Sequence, residues 1–331
     1  MIKAIYLKNS QVFTDFDATN IAKIYEEGVD IIWVDIHLDR HELTTVETSL
    51  LAETFKFHYM SIEDCLFPQY YPKMEEFENY LFGAIHGIQL KPNYYQEFDD
   101  SIYELNLFIG DGFVVTVHIE ELFFIETLFE KCKASPPLIE LKNIEKLLYS
   151  IFNKVVSSYE FTLEKIDNKI EDLEDEIIKN PESSAIEEIL DTKKIIFAMR
   201  KIAEPQQSAY LYFTRAGKHP VPEEALVYFR DICTQSAMIN QAILLRSQMA
   251  MTLLEIYMSS ITVKLTEITK FLTIIATLLL PVLIISGYYG MNIKFPEYSI
   301  FGESGAWFFA LSLMVVSIVA MVIYFIKKKW F

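Results

Sequence analysis

Two uninterrupted apolar runs near the C-terminal end constrain this chain more than any other feature. Phe271 to Tyr289 (FLTIIATLLLPVLIISGYY) and Ala306 to Ile326 (AWFFALSLMVVSIVAMVIYFI) contain no charged residue. Each is about 20 residues long, and a helix rising ~1.5 Å per residue then crosses the ~30 Å hydrocarbon layer of a bilayer. Charge-free runs of this length are rare in soluble cores, so two membrane-spanning helices are expected. Pro281 inside the first run is no objection, because proline is tolerated in membrane helices.

The lysines orient the spans, since short cytoplasmic flanks are enriched in Lys and Arg. Lys264 and Lys270 precede the first run, and Lys327, Lys328 and Lys329 follow the second. Between the runs, Asn292 to Gly305 carries Lys294 against Glu297 and Glu303. Both termini are therefore expected on the cytoplasmic side, with spans at 271–289 and 306–326, a short outer loop at 290–305 and a basic tail at 327–331. Trp307 and Trp330 stand at span ends, where amphipathic rings favour the interface. The opening MIKAIYLKNS lacks the apolar core of a secretory signal, which leaves residues 1–270 in the cytosol. Cys65, Cys132 and Cys233 are widely spaced and odd in number, as befits buried thiols in a reducing compartment. A net charge of −17 excludes a general nucleic-acid role and suits a surface that meets cations.

Residues 1–135 read as a mixed α/β domain, with strand-like segments at Ile31 to Asp35 and Leu81 to Leu90. The clearest hairpin is YELNLFIGDGFVVTVHI, where Gly110, Asp111 and Gly112 supply the turn. After Pro136 and Pro137 the character changes to helix, and 136–270 is expected to be a helical region that includes a long stalk. Leu163, Ile166, Ile170, Leu173 and Ile177 repeat at coiled-coil spacing among Glu164, Asp167, Glu171, Asp172, Glu174, Asp175 and Glu176, an acidic run that reads as a solvated face. Glu223 to Leu280 holds neither proline nor glycine. One helix of roughly 87 Å could therefore run from the cytosolic part straight into the membrane.

Tyr289, Gly290, Met291 and Asn292 (YGMN) stand where the first apolar run ends, followed by Pro296 and Glu297. Together with two C-terminal spans, the closing KKKWF, the PKMEEFENYLF stretch, the LEKIDNKIEDLEDEI stalk, YFRD at Tyr228 to Asp231 and LTIIAT at Leu272 to Thr277, this resembles the CorA family of magnesium transporters over nearly the whole chain. The resemblance implies a homopentameric funnel: an α/β cytosolic domain, a stalk helix continuing as the pore-lining first span, and an outer second span. It implies Mg2+ as both transported and regulatory ion, with cobalt and nickel as further transported ions, the cytoplasmic (inner) membrane as location, and no organic cofactor. Physics agrees on assembly, because two spans in one chain cannot enclose a water-filled path.

The resemblance assigns the pore to Gly290, Met291 and Asn292 at the mouth, with Leu283, Leu280, Leu272, Thr269 and Thr266 below. Thr266, Thr269, Thr273, Thr277 and Gly287 share one small or hydroxylated face, which fits either a wetted seam or packing against the second span. Magnesium is small, prefers octahedral oxygen ligands and sheds water reluctantly. A ring of Asn292 amides can accept hydrogen bonds from its coordinated waters while leaving binding weak enough for release. Leu280 and Leu272 would form a constriction that closes by dewetting. This chain departs from the family's best-studied pattern at Leu283 (threonine there), Leu280 (methionine) and Thr266 (asparagine). A potential of about 100 mV supplies roughly 4.6 kcal/mol to an inward divalent ion, and no nucleotide-binding glycine pattern suggests another drive.

In the family, cytosolic acids on neighbouring subunits bind magnesium and hold the pore shut. The matching positions are Glu63, Asp64 and Asp231, with Asn153 where the family has a third acid; read without the family, Asp231 is an ordinary exposed helix residue. A membrane-anchored enzyme is disfavoured because His37, His41, His58, His86, His118 and His219 form no metal-ligand spacing such as HExxH. A zinc-transporting relative that also carries GMN, or a membrane-anchored sensor without transport, remain the alternatives.

Overall fold

The computed structural model describes residues 1–9, 11–14, 20–39, 42–67, 69, 71–133, 143–179, 183–214, 222–291, 293, 296–328 and 330. The chain forms two compact units, one of Met1–Glu176 with Glu182–Leu254, the other of Ile177–Pro181 with Glu255–Phe331.

The first unit is built on a seven-stranded sheet of strands β1 (Ile2–Lys8), β2 (Gln11–Thr14), β3 (Ile31–His37), β4 (Lys73–Glu76), β5 (Tyr80–Ile88), β6 (Ile102–Gly110) and β7 (Phe113–His118), in the order β2-β1-β3-β7-β6-β5-β4. Every pairing is antiparallel except β3 with β7. Strands β5, β6 and β7 are buried along almost their whole length, which is why they read as apolar runs rather than alternating ones. The β6–β7 turn is tighter than its sequence implies. Gly110 pairs with Phe113 as the last residue of β6, leaving Asp111 and Gly112 as the loop, with Gly112 at φ +77°. A Cβ on Gly110 would lie 2.2 Å from the Phe113 ring, so this glycine makes room for an aromatic side chain.

Short helices α1 (Ile21–Glu26), α2 (Thr45–Thr48) and α3 (Tyr59–Asp64) lie between the strands, followed by α4 (Phe123–Lys133). A core of Phe55, Phe57, Phe82, Phe108, Phe113 and neighbouring aliphatics fills one face of the sheet, and the Phe57 and Phe108 rings stack at 4.0 Å. His58 caps α3 through Nδ1, which accepts from the Met60 N–H at 3.2 Å.

Helices α5 (Ile144–Lys179) and α6 (Ser183–Tyr210) follow. The seam residues Leu163, Ile166, Ile170 and Leu173 are buried, and the acids around them are exposed. Asp167 is the exception: it accepts both arms of the Arg246 guanidinium, at 2.8 and 2.6 Å, clamping α5 to helix α7 (Leu226–Tyr289). That helix is 64 residues long. It begins three residues later than the proline- and glycine-free stretch, after a 3₁₀ turn at Glu223–Ala225, and runs on through Pro281.

The second unit contains the rest of α7 and helix α8 (Pro296–Lys327). Both contain stretches long and apolar enough to cross a membrane. Helix α8 starts well before the second apolar run: Pro296 opens it, as suits a residue with no N–H to satisfy, and it kinks at Gly302 (φ 71°, ψ 171°). Part of the stretch expected to be an outer loop is therefore helical.

Candidate functional site

The Leu residues assigned to the pore sit on the side of α7 that the chain leaves bare. Ile274 is buried, and Leu278, Pro281, Val282 and Ile285 are half-buried. At ~100° per residue, Thr269, Leu272, Leu280, Leu283 and Gly287 lie roughly 120–180° around the helix from Ile274. Leu272, Leu280 and Leu283 are 65%, 55% and 67% exposed. Thr266 and Thr273 lie on the flank, about 80–100° from Ile274. Their hydroxyls turn inward along the helix: Thr266 donates to the Thr262 carbonyl at 2.8 Å, Thr273 to Thr269 at 2.7 Å, and Thr277 to Thr273. Each hydroxyl keeps its lone pairs for a ligand while its proton is engaged.

At the end of α7, the Gly290 N–H donates to the Ser286 carbonyl at 2.9 Å and the Met291 N–H to Tyr288 at 3.3 Å. A Cβ on Gly290 would stand 2.9 Å from that same Ser286 oxygen, a backbone atom that cannot swing aside. The glycine is thus required by the tight exit turn that leads to Met291. Asn292 lies outside the described residues.

The regulatory candidates fall on separate elements of the first unit. Glu63 and Asp64 end α3, Asn153 is half-buried on α5, and Asp231 is exposed on α7. Asp64 is already paired: Lys73 Nζ reaches Oδ2 at 2.7 Å and Gln69 Nε2 donates to Oδ1 at 2.9 Å. Burial pulls the Lys73 ammonium down, but its hydrogen bonds to Asp64 and Glu75 outweigh that and leave its pKa raised. Glu63 holds the Tyr59 hydroxyl, whose pKa rises chiefly through that hydrogen bond. Asp231 Oδ2 accepts from Tyr149 Oη at 2.9 Å and from Gln235 Nε2 at 2.7 Å. The bond to Asp231, then burial, raises the Tyr149 pKa. Tyr149 stands one turn before Asn153, so α5 presents Tyr149 and Asn153 toward the Asp231 end of α7. Among the described residues, no three His, Cys, Asp or Glu side chains gather as a metal site, and no hydrogen bond or ion pair joins Glu63 or Asp64 to Asp231. Lys73, Gln69, Tyr149 and Gln235 were not foreseen, because each reaches its acid through folding or one helical turn rather than through a motif.

Over residues 29–329 the chain matches the family described as CorA-like Mg2+ transporter protein. It is 29% identical to the cobalt/magnesium transport protein CorA of Thermotoga maritima, over 96% of this chain and 89% of the relative. It is 26% identical to the magnesium transport protein CorA of Haemophilus influenzae, over 94% of this chain and 97% of the relative. The complete structure of the CorA magnesium transporter from Methanocaldococcus jannaschii superposes with a TM-score of 0.81 at 20% identity, covering 100% of this chain and 99% of that one.

Proposed function

Because the chain belongs to the family of CorA-like Mg2+ transporters, we propose that it carries Mg2+, and also Co2+, into the cell through a homopentameric pore, driven by the membrane potential. The observation that carries this reading is the bare stripe of Thr269, Leu272, Leu280, Leu283 and Gly287 on α7, which ends at the Gly290 turn. Lipid would cover such a stripe as well as another subunit would, but lipid needs neither the glycine-defined exit nor YGMN. Five copies around an axis would turn the stripes toward one another, with Leu272 and Leu280 as an apolar constriction and Asn292 as an amide ring at the outer mouth. Both termini are then cytoplasmic and the membrane is the inner one.

Mg2+ on the cytosolic side closes this pore by binding between Glu63 and Asp64 of one subunit and Asp231 of the next. What supports an intersubunit site is that the acids stay apart within one chain while each is held by neutral or cationic neighbours at the surface. Asn153, in place of an acid, reduces the charge available and raises the Mg2+ needed.

Expression of this chain in cells that lack their own magnesium uptake should restore growth in low-magnesium medium. Failure of a correctly inserted protein to restore growth would count against the reading. Gly290→Ala should insert and assemble but rescue poorly, because relieving a 2.9 Å contact with the Ser286 carbonyl moves the turn that carries Met291 and Asn292; overpacking of this kind costs about 1–3 kcal/mol. Full rescue by Gly290→Ala would show that the turn does not set the mouth.

A further inference from the structure

A buried polar chain crosses the parallel pair β3 and β7 on the face that α4 covers. Strand register sets Asp35 opposite Thr116 and His37 opposite His118. Trp33 Nε1 donates to Thr116 Oγ1 at 3.1 Å, and the Thr116 hydroxyl, its oxygen so occupied, gives its hydrogen to Asp35 Oδ1. His118 Nε2 lies 3.3 and 3.4 Å from the two Asp35 oxygens, and its Nδ1 lies 2.6 Å from the Glu120 carbonyl. Asp35 and His118 are each 4% exposed. Both ring nitrogens of His118 thus face acceptors. A neutral imidazole has a hydrogen for one of them, whereas an imidazolium donates to both. Since a carboxyl is the stronger acid, the shared proton resides on the ring and Asp35 is the anion.

The surroundings leave His118 as the cation that answers Asp35. Lys3 of β1 stands opposite Asp35 in register but is engaged by Glu126 of α4, and the Met1 amino group donates to the His37 carbonyl at 2.5 Å and lies 3.9 Å from Glu47 of α2. His37 stacks on His118 with ring centroids 5.1 Å apart and has its Nε2 2.9 Å from the Ile119 carbonyl. Met1, Lys3, Asp35, His37, Glu121 and Glu126 are the other titratable groups around the recess beside His118. That recess holds about 10 Å³, space for one water at most. Helix α4 closes it with Leu122, Ile125 and Glu126 beside it and the Phe129 ring 4.0 Å from that of Trp33. A buried carboxylate that loses its cation needs water, and here water enters only if α4 moves.

We propose that His118 is held as an imidazolium on Asp35 and forms a pH-sensitive latch, whose deprotonation at alkaline pH releases α4 from the sheet. Burial pushes the His118 pKa down, but the hydrogen bond and charge of Asp35, with the Glu120 carbonyl, outweigh it and leave the pKa raised. A group raised in the folded state contributes stability that is complete below its unfolded value, near 6.5, and is lost as pH rises through the folded value. The latch therefore holds in acid and slackens on the alkaline side. The proposal does not depend on ion conduction.

The test is amide hydrogen exchange over α4 in the full-length protein in detergent, from about pH 6.5 to 9.5, corrected for the intrinsic pH dependence of exchange. The wild-type opening constant should grow by up to about tenfold per pH unit until His118 has lost its proton, then level off. In Asp35→Asn/His118→Gln, a neutral pair that still hydrogen-bonds, it should be independent of pH. Where circular dichroism shows that this variant has not folded, 15N NMR of the histidine-labelled wild type in liposomes decides, the His118 signal being identified by its loss in His118→Gln. At about pH 8, where an ordinary histidine is neutral, His118 should show both ring nitrogens protonated. A pH-independent opening constant in wild type, the same pH dependence in the folded double variant, or a neutral His118 ring at that pH would each overturn the proposal.

Discussion

Asn292→Ala should remove selective divalent uptake while leaving the protein assembled. An ion arriving at the outer end of the proposed pore keeps its waters, because magnesium dehydrates reluctantly. In the proposed pentamer, five amide oxygens on the axis would accept hydrogen bonds from those waters and replace part of the outer hydration that the ion gives up on entering a narrow mouth. Alanine supplies none. Losing even one net hydrogen bond to a charged partner costs about 1.5–3 kcal/mol, and the change is repeated in every subunit, so uptake should fall by well over tenfold. Asn292→Asp separates the amide's chemistry from its size: a carboxylate ring attracts the ion more but holds it, so flux should also fall while the apparent affinity rises. Selective, undiminished uptake by an assembled Asn292→Ala protein would remove the amide ring from the mechanism.

Changing Asp231 should alter inhibition by internal Mg2+ and leave the pore's selectivity unchanged. In the proposed interfacial site, Asp231 of one subunit and Glu63 and Asp64 of the next would repel one another when it is empty, favouring separated stalks; a bound divalent ion would neutralise them and favour the closed form. A switch from 99% open to 99% closed needs a preference of about 5.5 kcal/mol, which several sites per oligomer supply jointly where one weak site cannot. Asp231→Ala should raise the Mg2+ concentration for half-inhibition on the order of tenfold, about 1.4 kcal/mol per site. Asp231→Lys should hold the pore largely shut by standing in for the ion. The fold adds a variant of opposite sign. Lys73 lies 2.7 Å from Asp64 and acts as a cation already in place. Since both side chains are about a quarter exposed (27% and 24%), the pair is worth no more than about 1 kcal/mol, so Lys73→Met should free Asp64 for Mg2+ and lower the half-inhibiting concentration a few-fold. Superimposable curves for wild type, Asp231→Ala and Lys73→Met would make these acids ordinary surface charges.

The features legible in the sequence were those encoded locally. Charge-free length announced the two apolar helices, the spacing of Leu163, Ile166, Ile170 and Leu173 announced a buried seam, and the paucity of Pro and Gly announced α7. Even there local rules had limits: Gly110 reads as a turn residue but belongs to β6, where it makes space for Phe113, and Pro281 did not stop the helix. Within the candidate site, YGMN was visible as a motif, whereas the reason for Gly290 emerged only from the Ser286 carbonyl beside it. The partners of the acids belong to no motif, and two of them, Lys73 and Tyr149, are not helical-turn neighbours of their acids. Lys73 is nine residues from Asp64, and Tyr149 is 82 residues from Asp231. His86, Glu104 and Asn106 come onto one face only through strand register.

The most direct measurement is Mg2+ entry into sealed vesicles containing only the purified protein, with an inside-negative potential imposed by a potassium gradient and no nucleotide present. We expect Mg2+ to enter, faster at larger potential, and entry to cease when millimolar Mg2+ is loaded on the side that holds the cytosolic unit. Vesicles in which the inserted, oligomeric protein admits no divalent cation at any potential, or does so only when ATP is supplied, would contradict it.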